Sequence, residues 1–476
     1  MNTFTKNIGH QMTYTENGAL TNATTNSDLL NLFAVAGASR GRDTTNLFKS
    51  AYMADKEKAF RMLFWLRDIR GGAGERAAFR QNLKLLETLD PMALQKILHL
   101  VPEFGRWDDL LVFETPTIQT AAFIIIEEAI KAGNGLAAKW MPRKGEMAAK
   151  LRAHMAMTPK QYRKTLVGLT KVVETQMCQK EWNTIDFSKV PSVASARYQK
   201  AFGRNAPEKY SEYLSKLESD DPEVRETVKI NADTLFPHDV VRSFRDGNVR
   251  AAEQQWKALP NYAGSKKILP IVDVSGSMDT PVAGKIRALD ISLGLGLYLS
   301  EKQTSAFKDF IVTFDTNPKM FELTAQSTNA KLQQLVRAPW GGSTDLFAAM
   351  KLVLSHAIKN NVAKEDMPEF LLVISDMEFD SCVRNTKTNF QNIQDMYAAS
   401  EYKLPKVVFW NVNARNAQYP VTAKDNNTAS VSGYSPSIMK AILSDKLENF
   451  TPESVMLETI MAPRYDVVSE SLKSKQ

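Results

Sequence analysis

Two cysteines and five histidines in 476 residues leave little material for thiol or soft-metal chemistry. Cys178 and Cys382 fall in different predicted domains with no metal-ligand spacing around either. A reducing compartment favours two ordinary thiols over a disulfide. Long apolar runs are also missing. A membrane helix needs about 20 such residues, and the longest candidate, AAFIIIEEAI, is broken by Glu127 and Glu128. The opening stretch MNTFTKNIGHQMTYTENGAL is too polar for a secretory signal. These absences lead to the expectation of a cytoplasmic protein with no membrane partner.

What is present describes a globular chain of two or three domains, 43% hydrophobic and 24% charged. The net charge of +7 is unevenly spread: residues 1–250 hold 36 Lys and Arg against 29 Asp and Glu, and residues 251–476 hold 24 of each. Residues 151–200 alone carry 9 basic against 3 acidic side chains. A surplus of this kind suits a polyanion partner, although a solvated surface explains it equally well.

Residues 1–26, rich in Asn and Thr, read as an irregular N-terminal arm. From 27 to 260 the pattern is helical. KAFRMLFWLRDI, AFRQNLKLLETL, TAAFIIIEEAIKAG and YRKTLVGLTKVVETQM place apolar residues three and four apart, and each is closed by Gly, Pro, Asn or Asp. Many short helices joined by tight turns resemble a stack of HEAT-type hairpins, without an exact period. From 261 to 447 the period changes. KKILPIVDVS reads as a buried parallel strand, followed by a helix from Val282 to Ser300, the strands DFIVTF and MFELT, and a helix from Asp345 to Lys359. Next come EFLLVISD, a helix near 388–400, KVVFWNV, ASVSGY and a last helix from Ser437. Alternating strands and helices predict a doubly wound α/β domain with a mostly parallel sheet. Residues 448–476 form a C-terminal extension.

Ligands of such sheets bind at the carboxyl ends of the strands, and three polar clusters fall there. They are Asp273-Val274-Ser275-Gly276-Ser277, Gly341-Gly342-Ser343-Thr344-Asp345 and Ser375-Asp376. Two hydroxyls on alternate residues of a turn, a threonine from a second loop and two carboxylates suit a hard divalent cation such as Mg²⁺ or Mn²⁺. D-x-S-x-S after a buried strand, then a Gly-rich turn with Thr, then a strand ending in Asp, resembles the metal-ion-dependent adhesion site of von Willebrand factor A domains. That resemblance implies Ser275, Ser277 and Thr344 as direct ligands, with Asp273 and Asp376 acting directly or through water. Haloacid-dehalogenase phosphatases also place an Asp after the first strand, but their proton-transferring second Asp is Ser275 here. No histidine stands out as a general base, so no enzyme activity is expected.

In the helical part, Arg70 and Arg76 flank the glycines of RDIRGGAGER, which suits a phosphate; a plain helix–helix turn with arginines paired to Asp68 and Glu75 fits as well. Lys139, Trp140, Arg143 and Lys144 mix aromatic and basic character as single-strand binding surfaces do, and Trp140 reads equally as a core anchor. Lys160, Lys164 and Lys171 are predicted to share a helix face opposite Tyr162, Leu166, Leu169 and Val173.

RDIRGGAGER, EFGRWDDLL, AAKWMPRKG, YRKTLVGLTKVVETQM, KVPSVASARY and FPHDVV, followed by the adhesion-site pattern, resemble an uncharacterised Ro-like family of plants, bacteria and viruses. The resemblance runs from about Leu29 to about Leu447. More distantly the layout is similar to Ro ribonucleoproteins, in which a HEAT-like TROVE module is joined to a von Willebrand A domain. It implies RNA, structured or as single-stranded ends, as partner. The expectation is a non-enzymatic RNA-binding protein whose Mg²⁺ site takes a second ligand. The alternative is a metal-dependent adaptor that captures a protein partner's carboxylate.

Overall fold

Short polar side chains start the helices of the first half. Ser27 accepts from Leu30 N, Asp55 from Lys58 N, Glu75 from Ala77 N and Asp90 from Ala93 N. In this computed structural model, which describes residues 11–284, 286–314, 316–338, 341–383 and 386–474, helices then follow one another from Asp28–Ala36 to Val249–Ala258. Beyond them lies a mixed sheet of β3 (Ile268–Val272), β6 (Phe310–Thr313), β7 (Met320–Glu322), β8 (Phe370–Ser375), β9 (Lys406–Asn411) and β10 (Thr428–Ser432), ordered β10-β9-β8-β3-β6-β7. All neighbours run parallel except β6 and β7.

Period-two alternation divides the sheet between two cores. Leu371 and Val373 of β8 face a cluster built with Leu346, Met350 and Val353 of the Leu346–Lys359 helix. Leu372 and Ile374 face the other way, into a cluster that also holds Phe33, Phe64, Trp65 and Val241 of the helical half. One continuous core therefore joins the two halves. The Ala288–Lys302 helix lies at this junction, and its LGLGL segment permits close approach: a Cβ on Gly294 would sit 2.9 Å from His238 N, and one on Gly296 2.5 Å from Val272 Cγ2. A separate small cluster of Val173, Phe187, Phe202, Tyr210 and Tyr213 holds the helices around 173–217.

Three expectations need correction, and a fourth, the C-terminal extension, gains a structure. The first ten residues of the N-terminal arm lie outside the described residues, but residues 11–26 are not irregular. β1 (Met12–Tyr14) and β2 (Leu20–Asn22) form an antiparallel hairpin across Asn17-Gly18, with Gly18 at φ +83°, the conformation that an Asn-Gly turn supplies. The helix expected from Val282 begins at Ala288, because β4 (Pro281–Ala283) pairs with β5 (Ile286–Arg287). The Pro159–Leu169 helix ends before Lys171, where Thr170 caps it, so Lys171 does not share a helical face with Lys160 and Lys164, and Val173 opens the next helix. The C-terminal extension returns to the helical half. Its helices Pro452–Ile460 and Asp466–Lys473 pack there, with Arg464 and the Tyr465 hydroxyl bonded to the fully buried Asp68 and Arg61 bonded to Asp466.

Candidate cation site and basic surface

β3 and β8 are hydrogen-bonded neighbours, so the turns that leave them meet at one crevice. Asp273 follows β3 and is fully buried. Its Oδ1 accepts from Ser275 N at 2.9 Å and its Oδ2 from Ser375 Oγ at 2.5 Å. The first bond folds the turn back so that Ser275 Oγ and Ser277 Oγ lie 3.1 Å apart. The Ser277 hydroxyl is close enough to Asp376, which is 2% exposed, to favour its ionised form. Burial and the charge of Asp376 push the Asp273 carboxyl up to about 7. Burial also raises Asp376, against the attraction of Arg415, whose Nη2 lies 3.0 Å from Asp376 Oδ2.

Thr344 enters from the adjoining loop. Its hydroxyl donates to Glu378 O at 2.9 Å and its N–H to Asp380 Oδ2 at 2.7 Å, which ties it to the segment just after Asp376. Asp273, Ser275 and Ser277 are thus linked in one turn beside Asp376, and Thr344 is tied to the segment that follows Asp376. Among the described residues no group of three or more His, Cys, Asp or Glu is placed to hold a metal, so a cation here depends on hydroxyl oxygens. The donor set fits one: two buried carboxylates repel each other, and three hydroxyls add neutral oxygens of the kind Mg²⁺ accepts.

Several contributors to this site were not read from the sequence. Arg415 arrives from the loop after β9. The hairpin turn lies across the rim, with Asn17 Nδ2 donating to Glu378 O at 2.6 Å and to Thr344 Oγ1 at 3.3 Å. Glu16 Oε2 pairs with Arg415 Nη1 at 3.0 Å, and Glu16 N donates to the buried Glu378 carboxylate at 2.7 Å. The Asn17-Gly18 pair was the available signal for the hairpin. Nothing local in the sequence points across some 360 positions to its docking place.

The basic residues divide into two groups. Arg143, Lys144, Lys160, Lys164 and Lys171 are exposed. Arg143 donates to Thr170 Oγ1 at 3.3 Å and Tyr162 donates to Pro142 O at 3.1 Å, which brings the 142–144 turn against the Pro159–Leu169 helix. Lys139 and Trp140 are half-buried. Lys139 Nζ lies 3.5 Å from Glu174, and the Arg106 guanidinium stacks 3.8 Å from the Trp140 ring centre. Arg70 and Arg76 are exposed. They do not pair with Asp68 and Glu75, because Arg464 occupies the first carboxylate and Arg40 the second, at 2.9 Å.

A run of helices joined through one core to a mostly parallel sheet, with an oxygen-rich crevice at the strand ends, defines the class. Residues 15–120 and 117–265 match the family described as Domain of unknown function (DUF2828), and residues 267–471 match Domain of unknown function (DUF7788). The chain belongs to the DUF2828 family, as its motifs implied. It is 27% identical to an uncharacterized protein of Acanthamoeba polyphaga mimivirus over 513 residues, covering 94% of this chain and 87% of that one. The crystal structure of the Deinococcus radiodurans Ro (RSR) protein superposes with a TM-score of 0.46 at 14% identity, over 92% of this chain and 100% of that one.

Proposed function

We propose that this is a non-enzymatic RNA-binding protein whose HEAT-like, TROVE-like helices carry the RNA and whose α/β half is a von Willebrand factor A-type domain with a Mg²⁺ site. The observation that carries the RNA reading is the exposed cluster Arg143, Lys144, Lys160, Lys164 and Lys171. Among the described residues none of these five has a carboxylate partner, whereas many other basic side chains of the molecule do. Such cations suit phosphate contacts that hold RNA without reading its sequence. The order of helical part and adhesion-site pattern in the sequence, similar to the layout of Ro ribonucleoproteins, supports it.

In this reading Ser275, Ser277 and Thr344 hold the cation directly, and Asp273 and Asp376 hold it directly or through water. The ion would supply a coordination position for a carboxylate or phosphate oxygen of a second ligand. Arg415 orients Asp376, and Ser375 holds the Asp273 carboxylate. No proton-transfer step is included, since Ser275 stands where a second acid would be needed.

Because one core joins both halves, the test uses the full chain. Reversing Lys144, Lys160 and Lys164 to Glu should weaken RNA retention in filter binding across unrelated sequences. The salt slope should flatten by about 0.7–0.9 for every phosphate that is no longer neutralised. Asp273→Asn should leave RNA affinity within about twofold. RNA retention that is unaffected by the charge reversal, or removed by Asp273→Asn, rejects the reading. One observation favours the adaptor alternative: Glu16 already brings a carboxylate from another element to the rim of the cation site. That alternative takes over if the full chain retains no RNA at low salt.

A further inference from the structure

Three sequence motifs that lie far apart in the chain converge on one surface. Arg76 opens the Arg76–Leu89 helix, and Arg80 follows one turn later on the same face. From the Gly105-Arg106-Trp107-Asp108-Asp109 segment come two carboxylates and a third arginine. From the Gly135–Trp140 helix come Lys139 and Trp140. Asp109 is fully buried and takes Arg67 Nε at 2.8 Å and Arg80 Nε at 2.6 Å. Asp108 takes Arg106 through Nε at 2.9 Å and Nη2 at 2.7 Å, and Arg80 Nη2 at 2.9 Å. Gly105 is required here, because a Cβ would run into the Asp109 carboxylate and lie 3.0 Å from Arg67 Nε.

The carboxylates fix the arginines without neutralising them all. Arg67, Arg76, Arg80, Arg106 and Lys139 face Asp108, Asp109 and Glu174, an excess of two positive charges. Arg76 has no carboxylate or hydrogen-bond partner among the described residues and is exposed. Its side chain reaches solvent, but partial desolvation of the guanidinium, together with the neighbouring charges of Arg106, Arg67 and Arg80, lowers its pKa. Hydrogen bonds engage Nε and Nη2 of Arg106 and Nε of Arg80, whose buried Nη2 lies at ion-pair distance from both carboxylates, so each Nη1 is left over, and both side chains are about a quarter exposed at 29% and 24%. Arg106 Cζ lies 3.8 Å over the Trp140 ring centre, and Lys139 Nζ lies 5.6 Å from the same ring. Several guanidiniums held in place with free donors form a ready oxyanion receptor, since the fork geometry matches phosphate and little side-chain entropy remains to be lost.

We propose that Arg76, Arg80 and Arg106, beside Lys139 and Trp140, form a receptor for a phosphate group, either the diester of a single-stranded RNA or the monoester of a free nucleotide. The outer face of the Arg106 guanidinium offers the adjoining base a stacking surface. The site rests on the RNA-binding reading only for the first of these sources.

The test uses the full-length protein with two probes: a short labelled oligouridylate followed by anisotropy at low salt, and UMP followed by competition and by calorimetry. Arg76→Glu is the principal variant, because Arg76 is exposed and has no partner among the described residues, and Arg76→Lys keeps the charge but loses the fork. Lys359→Glu, on an exposed position of the α/β half, controls for net charge. The expected result is a loss of about tenfold in Arg76→Glu, an intermediate loss in Arg76→Lys, and wild-type binding in Lys359→Glu. If only UMP binding falls, the receptor stands with a free nucleotide as its source, and RNA is held by other cations of the helices. Oligouridylate binding that is equal in wild type and Arg76→Glu, with no UMP binding, overturns the receptor and leaves the RNA reading intact. Wild-type protein that binds neither probe overturns both.

Discussion

Replacing Asp273 with asparagine removes one of two buried, mutually repelling carboxylates while keeping the shape of the side chain. The folded-state pKa of Asp273 is raised to about 7 by burial and Asp376, against about 3.9 in an unfolded chain. A raised carboxyl pKa means that the folded state binds the proton more tightly, so stability is greatest below the unfolded value and falls as pH climbs through the folded one. Each tenfold change in proton affinity between the two states is worth about 1.4 kcal/mol, so the cost of the ionised pair at high pH is on the order of a few kcal/mol. Asp376 is the second cause after burial, so asparagine should recover about 1–3 kcal/mol of this at high pH. In thermal melts without divalent cation, Asp273→Asn should therefore melt a few degrees above wild type at about pH 8 and close to it at about pH 5. Adding Mg²⁺ should raise the wild-type midpoint, by about 2.7 kcal/mol of stability at a hundred times its dissociation constant, and leave the variant unmoved. A variant no more stable than wild type at high pH refutes the electrostatic account. An equal Mg²⁺ response in both proteins refutes the cation site.

Thr344→Val removes a proposed oxygen ligand but leaves the Glu378 carbonyl still bonded to Asn17. Calorimetry should show a loss of Mg²⁺ affinity of about tenfold or more, whereas Asn17→Ala should stay within about twofold. Arg464→Ala strips the main cation from the buried Asp68 and leaves Tyr465 as a side-chain donor; denaturant titration should show a loss of about 2–3 kcal/mol, less than for a fully buried pair because Arg464 is 37% exposed. Gly72→Ala would drive a Cβ into the Trp65 carbonyl, so expression of soluble protein should fall sharply, a cost above about 4 kcal/mol; normal yield and melting would show that the turn adjusts.

Local chemistry made most elements legible. Helix starts at Ser27, Asp55 and Asp90 carry capping residues, and β3 and β8 are continuous apolar runs ending in Asp273 and Ser375-Asp376. The oxygen-bearing residues of the crevice were readable because their order along the chain mirrors their place at the strand ends. What stayed hidden was long-range. Arg415 reaches Asp376 from a loop with no motif, the hairpin turn docks on the Glu378 carboxylate, and the C-terminal helices fold back to Asp68 and Arg61. Residues 281–287 look helical because Val282 and Ile286 are four apart, but Pro281 and Gly284, the latter at φ +58°, favour a short hairpin. The arginines of RDIRGGAGER could not be assigned partners from spacing, since Asp68 and Glu75 pair with residues far along the chain from Arg70 and Arg76.

Crosslinking full-length protein to RNA with ultraviolet light in living cells, then sequencing the RNA and mapping the peptide adducts, addresses the proposed function without assuming a ligand. The proposed function predicts recovered RNA above the level of an unrelated protein of equal charge. Adducts should fall on peptides spanning residues 76–106 and 139–171, and should persist in Asp273→Asn. Background-level RNA, or adducts confined to the α/β half and lost in Asp273→Asn, would contradict an RNA surface on the helices.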